Sequence, residues 1–78
     1  MKYYVERVTE TLEHCPVGDA DGNGTPVGVT KKQAVLLAKA AAAKYPDDQI
    51  FVSWGRASDG QQGYLNRDGN HAITGEAW

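Results

Sequence analysis

Apolar residues recur at helical spacing in one clear stretch of this chain and at strand spacing in others. Between residues 31 and 45, Ala34, Leu37, Ala38, Ala41 and Tyr45 share one face at 100° per residue, with Val35 and Ala42 on its flank. This pattern predicts a helix over Lys31–Tyr45 with that face on the core. Its start is marked by Thr30-Lys31-Lys32-Gln33, a capping box in which Thr30 and Gln33 satisfy each other's backbone N–H groups. Its end is marked by Pro46, which cannot continue a helix. Ala, Leu, Lys and Gln dominate the segment, and all are good helix formers. The alanines let the helix lie close to whatever it covers. On the far side lie Leu36, Ala40 and Ala43, flanked by Lys32 and Lys39.

Period-two alternation is cleanest after Asp47-Asp48. Ile50, Val52 and Trp54 fall on one face, and Phe51, Ser53 and Gly55 on the other. This strand extends toward Arg56 and Ala57. Ser58–Gly63 is rich in turn formers and reads as a hairpin connection. Tyr64–Arg67 then pairs back as a further strand, and Asp68-Gly69 marks a second turn. His71–Thr74 reads either as a short fourth strand or as a packed tail. Trp78 either tucks against the core or lies exposed.

The first segment, residues 2–13, carries two periods. Tyr3, Tyr4, Val5, Val8, Thr9 and Thr11 are aromatic or β-branched and favour strand. Val5, Val8, Leu12 and Cys15 also recur at helical spacing. No N-cap precedes Tyr3, and a bulge between Val5 and Val8 would repair the alternation, so strand is the favoured reading. Residues 14–29 read as a long turn-rich loop, broken by Pro16, Gly18, Gly22, Gly24, Pro26 and Gly28. The expected architecture is α+β: one helix packed on a three- or four-stranded antiparallel-rich sheet, in β-α-β-β order. A lone helix covers one sheet face. The other must meet solvent or a partner.

A length of 78 residues suits a single small domain spanning 1–78. Such a domain buries only about 60–65% of its unfolded surface, so its stability is modest. The net charge of −2 comes from interspersed acids and bases. It argues against a broad electrostatic grip on DNA, which needs clustered cations. The single cysteine, Cys15, rules out an internal disulfide and suits a reducing compartment. The start has no apolar run of signal-peptide length, and no stretch is long enough to span a bilayer. The expected location is cytoplasmic, with no membrane association.

Asp19-Ala20-Asp21-Gly22-Asn23-Gly24 copies the opening of a calcium-binding EF-hand loop. The remainder departs from it. Pro26 stands at loop position 8, and Thr30 stands where a bidentate glutamate is needed. Turn chemistry explains the same residues. His14, Cys15 and His71 lack the paired spacing of a zinc site. Gly22-Asn23-Gly24 lacks the Gly-Lys-Ser/Thr of a phosphate cradle. Asp47-Asp48 suits a solvated turn. The expectation is a protein without metal, cofactor or enzymatic activity.

The aromatic and arginine residues of the hairpin are better candidates for recognition. Specific interfaces rely on such anchors more than on bulk charge. The candidate contact set is Arg56, Tyr64, Asn66 and Arg67, with Lys32, Leu36 and Lys39 on the helix as a second surface. Trp54 is expected in the core beside Ile50 and Val52, leaving Phe51 on the open face.

In order and size the chain resembles the very small anti-CRISPR proteins that phages use against type I CRISPR complexes. Several of these have a strand, a short alanine-rich helix with a Ser/Thr-x-x-Gln start, and a hairpin with a Tyr-x-x-x-Asp-Gly-like stretch. The corresponding residues here are Tyr3–Thr9, Thr30–Gln33 and Tyr64-Leu65-Asn66-Arg67-Asp68-Gly69. The resemblance implies a stoichiometric inhibitor that binds a subunit of a bacterial type I CRISPR-Cas complex, or its nuclease, and blocks DNA targeting. Its location would then be the bacterial host cell. Two other readings stand beside it: a sheet that binds single-stranded nucleic acid, and a structural domain that forms a homodimer through its open sheet face.

Overall fold

The computed structural model describes residues 2–56, 61–67, 69 and 76–78; of Arg56, Gln61, Gln62 and Glu76 only the backbone is described. The elements are β1 (Tyr3–Val8), β2 (His14–Pro16), α1 (Lys31–Lys44), β3 (Gln49–Arg56), β4 (Gln61–Asn66) and β5 (Glu76–Ala77). They form one sheet in the order β2-β1-β3-β4-β5. The first four strands are antiparallel neighbours, and the two-residue β5 adds in parallel beside β4. Helix α1 packs on β1 and β3. The α+β reading holds, with β2 added before the helix.

Residues 2–13 resolve as a strand followed by a turn. β1 pairs with β3 in continuous register from Tyr3↔Trp54 to Val8↔Gln49, so the bulge allowed for above is not needed. Val5 then faces α1, and Val8 lies on the opposite side of the sheet, outside the core cluster. The turn-rich loop is shorter than its glycines and prolines implied. His14–Pro16 pairs with β1 as an edge strand, where a proline is tolerated because its missing N–H faces away from the ladder. Val17 N–H then donates to Val5 O at 3.0 Å, and Val29 exchanges two backbone hydrogen bonds with Tyr3 at 2.8 and 2.9 Å. The outer edge of β1 is thereby paired from both ends of the excursion.

Helix α1 opens as its sequence dictates. Thr30 Oγ1 accepts Gln33 N–H at 3.2 Å, and Gln33 Oε1 accepts Thr30 N–H at 3.2 Å. Tyr45 serves as C-cap, its N–H still donating to Ala41 O. Replacing Thr30 with Ala removes the Oγ1 that accepts Gln33 N–H, while the backbone N–H of residue 30 keeps Gln33 Oε1 as its acceptor. The expected cost is about 1 kcal/mol, read as a lower urea midpoint and faster amide exchange in the first helical turn.

The core is small. Ala34 and Ala38 are fully buried, and Val5, Ile50, Val52 and Leu65 are at most 2% exposed. Tyr3, Val17, Val29, Leu37, Ala42 and Trp78 pack around them. Trp78 is half-buried, with its Nε1–H donating to Ile50 O at 3.0 Å and its backbone N–H to Asn66 O. Trp54 lies on the helix side, its ring over Gly63 and tilted against Tyr3. His71–Thr74, read as a strand or tail, lies outside the described residues.

Candidate functional site

Side chains alternate between the faces of a sheet, and cross-strand partners share a face. With Val5, Ile50, Val52 and Leu65 on the helix side, the register assigns the opposite face, which no helix among the described residues covers. One row is Tyr4, Ser53 and Tyr64; the next is Pro16, Glu6 and Phe51; the third is His14, Val8 and Gln49. The two tyrosines stand either side of Ser53, each one strand away, so about 10 Å apart at the usual strand spacing. Phe51 lies two residues along β3, diagonal to both. Three aromatic side chains thus ring a small serine. All three are half-buried, and none belongs to the core under α1.

The charge on this face is sparse. Within β1, β3 and β4 its described side chains include one carboxylate, Glu6, and no lysine or arginine. Glu6 Oε2 is held by His14 Nδ1 at 2.9 Å. Lys2 sits just outside β1.

The expected contact residues fall into separate groups. Tyr64 and Asn66 lie on the uncovered face, and Asn66 O also accepts Trp78 N–H. Arg67 follows β4 and donates from Nη1 to Pro46 O at 3.1 Å, tying the hairpin to the turn after α1. Arg56 ends β3 opposite Gln61, and its side chain lies outside the described residues. Lys32, Leu36 and Lys39 are exposed on the outer side of α1, with Leu36 at 60%. Since α1 covers the other sheet face, these two surfaces lie on opposite sides of the domain. A flat partner surface meets one of them at a time.

The outer surface of α1 is basic. The helix has four lysines, all exposed, and no acidic residue. Lys31 and Lys32 stand in the first turn, where the helix dipole disfavours cations.

At the other end of the core, Arg7 joins β1 to the turn after α1. Its Nη1 meets Asp48 Oδ2 at 2.6 Å, and its guanidinium lies 3.9 Å from the centre of the Tyr45 ring. The hydrogen bond to Asp48 favours the charged form and raises the Arg7 pKa, against the opposing pull of desolvation. A recess of about 310 Å³ lies nearby, lined by residues 46–51 with Asn66 and Arg67. Its polar walls are a turn and a strand end, and Arg67 is already engaged there with Pro46.

The segment that copies a calcium loop has a local explanation. Ala20 bridges Pro26, and Asp21 Oδ1 accepts the N–H groups of Asn23 and Thr25 at 2.8 and 3.0 Å. Asp21 thus closes a tight hairpin. No group of three or more His, Cys, Asp or Glu is placed to hold a metal among the described residues. Nor is any helix among them long and apolar enough to cross a membrane.

Compared with models of protein families, characterised proteins and solved structures, the chain matches none. The site therefore rests on its own geometry. Sequence reasoning found Phe51 and Tyr64 but missed Tyr4, because the period of residues 2–13 was ambiguous. Once β1 is a strand with Val5 inward, Tyr4 must face outward beside Ser53.

Proposed function

We propose that this protein is a non-enzymatic inhibitor of the anti-CRISPR kind, which binds a type I CRISPR surveillance complex or its nuclease through the uncovered sheet face. The observation that carries this reading is the triangle of Tyr4, Phe51 and Tyr64 around Ser53. Tyrosine and phenylalanine are enriched at the centre of protein interfaces, whereas lysine is depleted there. Tyrosine offers a large contact area with few rotatable bonds to freeze. This supports the sheet face over Lys32, Leu36 and Lys39 as the principal seat.

Aromatic residues on an open sheet also stack single-stranded bases. Such a face needs cations for the phosphates. Here the described strand residues supply Glu6 instead, which favours a protein partner. The test is a mobility-shift assay of target-DNA binding by purified type I complexes of several subtypes. Added at a few-fold molar excess, the protein is expected to abolish DNA binding or nuclease recruitment by at least one of them. If it shifts single-stranded oligonucleotides directly and leaves every complex active, the nucleic-acid reading replaces this one.

A further inference from the structure

The turn between β1 and β2 holds a residue that neither its backbone nor its solvation favours. Leu12 has φ of +63°, the only described non-glycine residue with positive φ. Its side chain is 77% exposed, the largest exposure among the described bulky apolar residues. A left-handed residue after such a turn is ordinarily glycine, because a β-carbon there meets the following carbonyl. The conformation is nonetheless fixed by its surroundings. Leu12 N–H donates to Thr9 O at 2.9 Å, Thr9 N–H to Glu13 O at 3.0 Å, and Glu13 N–H to Thr9 Oγ1 at 3.1 Å. A strained residue held by converging hydrogen bonds points to function.

We infer that Leu12 is a pre-organised docking anchor that enters an apolar pocket with a lysine- or arginine-lined rim on the partner. The rim chemistry follows from the tip's own charge. Glu10 and Glu13 flank Leu12, and both are exposed. Glu6 stands on the same hairpin, farther from the tip and bonded to His14. Arg7, the one cation of the hairpin, is turned to the helix side and paired with Asp48, so it does not offset the field at the tip. Surfaces that grip nucleic acid are rich in lysine and arginine. The inference rests on the inhibitor reading and names the part of such a complex the tip would occupy.

Leu12→Gly separates anchor from scaffold, because glycine relieves the strain while removing the side chain. It is expected to raise the urea midpoint by about 0.5 M, yet weaken binding to the surveillance complex at least about 10-fold. Glu10→Lys with Glu13→Lys is expected to slow association about 10-fold at low salt. A midpoint that falls or stays put removes the strain argument and overturns the inference. Equal binding by wild type and Leu12→Gly overturns the inference and leaves the inhibitor reading standing. Wild type that binds no complex takes down both. A concentration-dependent dimer abolished by Leu12→Gly would put the tip on a second copy and likewise overturn it.

Discussion

Leu65→Ala is expected to cost about 2–5 kcal/mol. Leu65 is 2% exposed and pairs directly with Val52, itself paired with Val5 across the centre of the sheet. The core cluster it belongs to has Ala34, Ala38 and Ala41 as its helix members, whose short side chains cannot reach into the space it would leave. An alanine has no longer side chain to swing into a cavity. Domains are stable by roughly 0.05–0.15 kcal/mol per residue, so a chain of 78 residues has on the order of 4–12 kcal/mol in all. The variant should lose a large share of this, read as a fall in urea midpoint at unchanged slope. A loss below about 1 kcal/mol would mean that Leu65 is not a central core residue.

Gly63→Val is expected to destabilise by about 1–3 kcal/mol through overpacking. Gly63 lies opposite Trp54, and a Cβ there would stand 2.3 Å from Cε2 and Cζ2 of its indole. The ring lies flat across the glycine, leaving no space for a side chain. Valine has higher strand propensity than glycine, so propensity alone predicts a gain; the clash decides the sign. Displaced from Gly63, the indole also leaves Tyr3, whose ring centre is 6.3 Å away. A red shift of tryptophan emission together with lost stability would show this. Unchanged emission with higher stability would mean that strand propensity outweighs the contact.

The legible parts of this fold were those set by local physics. The capping box and the alanine stripe placed α1 to within one residue at its C-terminus. The alternation of Ile50, Val52 and Trp54 gave β3 and assigned its faces. Less legible were elements that exist only through pairing. β2 has three residues, one of them Pro16, and no periodicity of its own. It is a strand because β1 offers it an edge. β5 has two residues and is held by Leu65, Asn66 and the anchoring of Trp78.

The candidate site was half legible for the same reason. Phe51 and Tyr64 sit on strands with readable turns or alternation, whereas Tyr4 sits in the segment with two competing periods. Leu12 fitted a helical spacing in the sequence, and only its backbone angle and exposure set it apart. The seven expected contact residues were read as two surfaces. Register adds that Tyr64 and Asn66 share the uncovered face with Tyr4 and Phe51, while Lys32, Leu36 and Lys39 look the other way.

That division gives the most direct test of the central claim, that the uncovered sheet face seats the partner. The measurement is the affinity of two double variants for purified type I surveillance complexes, compared with wild type by surface-immobilised binding. Tyr4→Ala with Tyr64→Ala is expected to weaken binding on the order of 100-fold, whereas Lys32→Ala with Lys39→Ala is expected to stay within about threefold. Tight binding by the tyrosine variant, loss confined to the lysine variant, or no binding by wild type to any complex would each contradict the account.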